Sequence, residues 1–175
     1  MTATDQKQRI LKARAQALAR EPAPKVTEAV VEIVEFSLAT ERYGIETGAV
    51  REVFPFKELT PVPCTPSFFV GIVNVRGRMI AVVDLKKFFD LPASGLHDLH
   101  QVIILHSAEM NLGILADDVA GVRSVPVSQL QASLPTLGGI GQHYLRGVTG
   151  ERLVILDAAR ILADPRIIVQ EEVSP

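Results

Sequence analysis

The sequence predicts a mainly β protein built from two structurally similar β lobes, with short helices and an N-terminal helical extension. Three observations carry this. After residue 28 the chain falls into short runs of Val, Ile and Leu separated by Gly, Pro, Asn and charged pairs, which is the pattern of closely spaced strands. Most runs leave no room for a helix between them, so antiparallel pairing is favoured over βαβ units. The chain also repeats itself. GRMIAVVDLKKFF at 77–89 aligns without a gap on GERLVILDAARIL at 150–162, setting Gly77 against Gly150 and Asp84 against Asp157. A second correspondence joins YGI at 43–45, followed by Val50 and Val53, to LGI at 112–114, followed by Val119 and Val122. Self-similarity of this kind marks one supersecondary unit used twice. Each unit alone is too small to bury much surface, so the two lobes are expected to share a hydrophobic seam.

Residues 4–20 are rich in Ala, Lys, Arg, Gln and Leu, all strong helix formers, with Thr4 or Asp5 as the N-cap. Ile10, Leu11, Ala15 and Leu18 share a stripe, and Pro22 and Pro24 end the helix. The expected organisation is a basic helical leader and proline linker over 1–27, a body over 28–170 and a short tail over 171–175. Residues 1–25 hold six basic and two acidic side chains, the remainder twelve and eighteen, so a leader of +4 precedes a body of −6. Within the body, Val34, Phe36 and Leu38 alternate with Glu35 and Ser37, a half-buried strand. Further strands are expected at 71–76, 78–83, 100–107, 111–116 and 151–156. Asp84 and Asp157 each stand like an N-cap before a short apolar run, so a short helix is expected after each.

The 175 residues are 47% hydrophobic and carry a net charge of −2, which gives no field for nucleic acid or anionic membrane. No apolar run reaches the ~20 residues of a membrane helix. One cysteine, Cys64, allows no internal disulfide or Cys-based zinc cage, which suits a reducing compartment; the cytoplasm is expected. Aromatic residues make up only 5%, too few for stacking platforms. His97, His100, His106 and His143 are scattered without metal-ligand spacing, and neither a nucleophile elbow nor a phosphate loop is present. GGIG at 138–141 reads as loop. Cys64 sits in the proline-rich turn PVPCTP and reads as a buried or indifferent thiol. The pair Asp117 and Asp118 reads as a solvated turn. No catalytic centre, metal or cofactor is expected.

What remains is a pair of charges in the first repeat that the second does not have. Glu52 in VREVF aligns with Gly121, and Arg76 at the end of GIVNVRG aligns with Thr149. Were both to face the seam, burial of either alone would be costly, so an ion pair between them is expected.

The order YGI, VREV, a proline-rich segment ending in CTP, then FFVGIVNVRGRMIAVVDLKKFF resembles the CheW family of bacterial chemotaxis coupling proteins. The resemblance continues through GILADDVAGV at 113–122 and LRGVTGERLVILDAARIL at 145–162, and spans about residues 30–168. It implies two SH3-like five-stranded β-barrels around a joint core. It also implies a non-enzymatic adaptor between the cytoplasmic signalling tips of chemoreceptors and the regulatory domain of the histidine kinase CheA, a monomer in solution. By motif position the receptor-binding groove falls on Val50, Glu52, Gly71, Arg76, Val102, Ile103, Gly113 and Val122. Where the family often has an acid before the valine matched by Val122, this chain has Gly121. Two other readings stand beside this one: an adaptor of a non-flagellar chemosensory system serving pilus motility or gene regulation, and a small ligand-binding protein or enzyme with a pocket between the lobes.

Overall fold

The computed structural model describes residues 28–56, 59–91, 101–132 and 143–168. The leader, the tail, GGIG, His97 and His100 lie outside the described residues. The elements are β1 (Val30–Leu38), β2 (Glu41–Glu46), β3 (Val50–Pro55), β4 (Phe69–Val75), β5 (Arg78–Val83), α1 (Leu85–Phe88), β6 (Gln101–His106), β7 (Asn111–Ala116), β8 (Asp118–Pro126), β9 (Leu145–Val148), β10 (Leu153–Leu156) and α2 (Ala158–Leu162). All six expected strands are present, five of them within one or two residues of their ends, while β1 begins at Val30, four residues before the alternating run at 34–38. β2, β3, β8 and β9 are additional to the runs that sequence alone marks out.

The strands form two five-stranded sheets, ordered β3-β6-β7-β5-β4 and β8-β1-β2-β10-β9. The first, the central lobe, is continuous in sequence. The second, the terminal lobe, joins β1 and β2 to β8–β10. Each sheet rolls up until its edges meet in a two-way backbone bridge: Thr60 with Ile72 in the central lobe, Gln131 with Val148 in the terminal lobe. Antiparallel pairing dominates, as expected, but β2 with β10 and β5 with β7 are parallel.

The repeat is structural as well as sequential. One unit runs β1–β5–α1, the other β6–β10–α2. The bulges match too: Arg51 in β3 and Ala120 in β8 are the extra residues, as are Val70 in β4 and Arg146 in β9. Yet neither lobe is one unit. The β1–β2 hairpin completes its sheet with β8–β10, and β6–β7 does so with β3–β5. Each lobe therefore takes a hairpin from one unit and three strands from the other.

Strands in this arrangement bury both faces, which explains why their sequences are almost continuously apolar. On β6, Val102 and Ile104 face the interior of the central lobe, while Ile103 and Leu105 face the core common to both lobes. β1 behaves likewise, with Ile33 inside the terminal lobe and Val34, Phe36 and Leu38 in the common core. Phe88 of α1 and Ile161 of α2 plug that core from the side, and burial of each side chain is worth about 2 kcal/mol. The helices begin where expected: the Asp84 carboxylate accepts from the Lys86 amide at 2.9 Å and that of Asp157 from the Arg160 amide at 3.2 Å.

Asp117 corrects the reading of a solvated acidic turn. It is buried, accepts from Lys86 Nζ at 2.6 Å, and accepts from the Ala39 amide at 2.7 Å. Only Asp118 of that pair is exposed. Cys64 is exposed as well, so the buried reading of its thiol is set aside.

At the C-terminal end, Tyr144 donates to Asp164, Arg166 Nη2 donates to the Tyr144 oxygen at 2.7 Å, and the Arg166 guanidinium lies 4.2 Å from the Phe88 ring centre. Burial and the Asp164 hydrogen bond push the Tyr144 hydroxyl up, so it stays a donor. Desolvation pushes the Asp164 carboxyl up, but hydrogen bonds from Arg166 and Tyr144 outweigh it and hold the group below its ordinary value of 3.8. Stability from this depression is fully present above the ordinary value and is lost as pH falls through the lower folded value. Asp164→Asn should therefore lower the urea midpoint at neutral pH, with the gap to wild type closing in acid. A gap that stays constant with pH would rule this linkage out.

Candidate partner-binding site

β3 is an edge strand in the central lobe, and its bulge at Arg51 turns Glu52 to the face occupied by Ile104 and Phe54. Opposite it, β4 and β5 meet in a two-residue turn, Arg76-Gly77, with φ of 51° and 82°. Positive φ at both positions is the hairpin geometry that matches strand twist, usually supplied by Asn-Gly. Arginine there costs roughly 1–2 kcal/mol of backbone strain, and the Gly77 amide anchors the turn by donating to Asn74 Oδ1 at 2.9 Å. The strained position aims the Arg76 side chain across the open end of the lobe, where Nη2 meets Glu52 Oε2 at 3.1 Å.

The expected ion pair is thus formed, but away from the seam: it lies at the mouth of one lobe, with Arg76 83% and Glu52 24% exposed. Around it lies a cleft of about 210 Å³ lined by Arg51, Glu52, Val75, Arg76, Arg78, Ile80 and Asn111. Arg51 Nη1 reaches Asn111 Oδ1 at 3.5 Å. Among the described residues no group of three or more His, Cys, Asp or Glu could hold a metal ion.

The other residues expected in a groove divide by depth. Val50 is half-buried beside the common core, and Val122 on edge strand β8 is 67% exposed. Val102 and Ile103 are fully buried, so their side chains offer no open surface. Gly71 and Gly113 are buried too, and what approaches them is the lobe itself. A Cβ on Gly71, at φ 148°, would sit 2.4 Å from the Thr60 carbonyl oxygen. One on Gly113 would meet Val102 and Val82 at 2.9 Å. At both glycines the space a side chain would take is already filled. Sequence reasoning missed Arg51, Arg78 and Asn111. Arg51 adjoins Glu52 and Arg78 adjoins the turn glycine, so alternation along VREV and RGRM was the available signal.

Residues 32–166 match the CheW-like domain family. The chain belongs to that family. It is 30% identical over 149 residues to the chemotaxis protein CheW of Treponema pallidum, covering 81% of this chain and 88% of that one. It is 29% identical over 137 residues to protein FrzA of Myxococcus xanthus, covering 75% and 84%. The crystal structure of the scaffolding protein TtCheW from Thermoanaerobacter tengcongensis superposes with a TM-score of 0.66 at 30% identity, covering 73% of this chain and 89% of that chain. CheW-like membership makes this a scaffold or adaptor protein and not an enzyme. Among the described residues no helix is long and apolar enough to cross a membrane.

Proposed function

We propose that this CheW-like chain couples the cytoplasmic signalling tips of chemoreceptors to the histidine kinase CheA, working in the cytoplasm as a monomer that joins larger arrays. The observation that carries the reading is the Glu52–Arg76 pair, held on an edge strand and a strained turn at the open end of a rigid lobe. Backbone strain at an exposed arginine has no benefit for folding, which favours a role in recognition. A helical receptor tip laid beside β3 would meet Val50 and Val53 as apolar contacts and the ion pair as the element that sets register. Val122 extends the apolar surface on the other lobe, whereas Gly71, Val102, Ile103 and Gly113 shape it from beneath.

Arg76→Ala and Glu52→Ala are each expected to weaken binding of a receptor signalling fragment by about tenfold, and to lower kinase activation in a reconstituted receptor mixture, while far-ultraviolet circular dichroism stays unchanged. Wild-type affinity in both variants would sink the assignment. Service in a system other than flagellar chemotaxis is the second reading, favoured by the likeness to FrzA. Deletion of the gene followed by swimming, twitching and transcript assays separates the two. The space between the lobes is a packed core, which removes the site that a ligand-binding or enzymatic reading requires.

A further inference from the structure

The repeat allows the two lobe mouths to be compared residue by residue, and they differ in charge balance. In the terminal lobe the cross-strand pair Glu35↔Gly121 occupies the place of Ile104↔Glu52 in the central lobe, so the acid has moved to the other strand of the same ladder. Around Glu35 the terminal mouth is closed by its own ions. Arg42 Nη1 reaches Glu35 Oε1 at 3.3 Å, Arg123 Nη1 reaches Glu35 Oε2 at 3.5 Å, and Arg123 Nη2 reaches Glu151 Oε2 at 2.7 Å. Hydrogen bonding and attraction from Arg123 hold the Glu151 carboxyl below its ordinary range. Two arginines meet two carboxylates, and the mouth is neutral.

In the central lobe the positions equivalent to Arg42, Arg123 and Glu151 are Asn111, Phe54 and Arg78. Three arginines, Arg51, Arg76 and Arg78, surround a single carboxylate, Glu52, which Arg76 engages. Among the described residues no carboxylate pairs with Arg51 or Arg78. The cleft therefore carries an excess of two positive charges over an apolar floor of Val75 and Ile80. Guanidinium forks recognise carboxylates in preference to other side chains, and an apolar floor accommodates the methylenes of an acidic side chain.

We infer that the central-lobe cleft is a subsite for an acidic side chain on the helix of the receptor tip, which offers Arg78 and Arg51 the negative charge that Glu35 and Glu151 offer Arg42 and Arg123 at the other mouth. This rests on the receptor reading above and adds to it the chemistry of the recognised residue. The partner's carboxylate offsets half of the positive excess that the second repeat balances by itself, so the same scaffold carries one closed mouth and one receptive mouth.

The test uses the full chain and a purified cytoplasmic hairpin fragment of a chemoreceptor, with binding followed calorimetrically at several salt concentrations. Arg78→Glu and Arg51→Glu are each expected to weaken binding about tenfold and Arg78→Gln a few-fold, with a flatter salt dependence in all three. Neutralising each Asp and Glu of the fragment in turn should reveal one whose loss is not additive with Arg78→Gln, and lysine at that position should restore binding to Arg78→Glu. Unchanged affinity in both charge reversals, or weakening with no coupled acid in the fragment, would overturn the inference and leave the receptor reading standing. Failure of the wild-type chain to bind the fragment would overturn the receptor reading and the subsite together.

Discussion

Asp117→Ala is expected to destabilise the protein by about 3 kcal/mol. The carboxylate sits where the chain leaves the central lobe after β7 and enters the terminal lobe at β8, and it holds both: Lys86 on α1 at 2.6 Å and the amide of Ala39, in the β1–β2 turn, at 2.7 Å. Its removal leaves an ammonium group only 16% exposed without a counter-charge and an amide at a positive-φ position without its acceptor, two losses that add. Asp117→Asn keeps one acceptor and should cost about half as much. Lys86→Met should be milder than Asp117→Ala, because the remaining carboxylate keeps the Ala39 bond. Urea unfolding of the three variants checks the order, and a loss below about 0.5 kcal/mol for Asp117→Ala would show that the pair contributes nothing net.

Gly71→Ala should be comparably damaging, at about 3 kcal/mol or more. The added methyl would lie 2.3 Å from Leu59 Cδ2 and 2.4 Å from the Thr60 carbonyl oxygen, at a φ of 148°. Leu59 can swing aside, but the Thr60 carbonyl cannot, because Thr60 and Ile72 exchange the two backbone bonds that close the central lobe. The expected result is a lower melting temperature together with loss of receptor binding through an opened lobe. Gly48→Ala, with nothing within 4 Å of the new methyl, should stay within about 0.5 kcal/mol of wild type. Equal stability of the two variants would contradict the packing described at Gly71.

The parts of the fold that were legible in the sequence are those whose information is local. β5 and β10 are uninterrupted aliphatic runs ending in a capping aspartate, and they occur twice, so strand, cap and helix could all be read off. β3 and β8 were obscured by their bulges, which break the period of two at Arg51 and Ala120, and β9 is only four residues long. The exchange of hairpins between repeats is a long-range pairing that no local pattern encodes. The Glu52–Arg76 pair was legible because the second repeat replaces both residues, which singles them out against an otherwise shared pattern. Its position at a lobe mouth was not, since β strands buried on both faces do not reveal which end stays open. Val102, Ile103 and Gly113 were assigned to the groove by motif position, which carries no information on burial, and all three are buried. Asp117 was misread because its partner on α1 lies 31 residues away, and an aspartate next to another aspartate looks solvated unless that neighbour is known.

The crossing of hairpins has a consequence for how such a molecule could arise and how it comes apart. A polypeptide holding a single repeat would have three strands in want of a hairpin and a hairpin in want of three strands, a deficit that a second identical copy would remedy by mutual swapping. Fusing two such copies end to end would yield this topology without any rearrangement. In the fused protein neither half can be lost or melted alone, because each barrel wall draws on both.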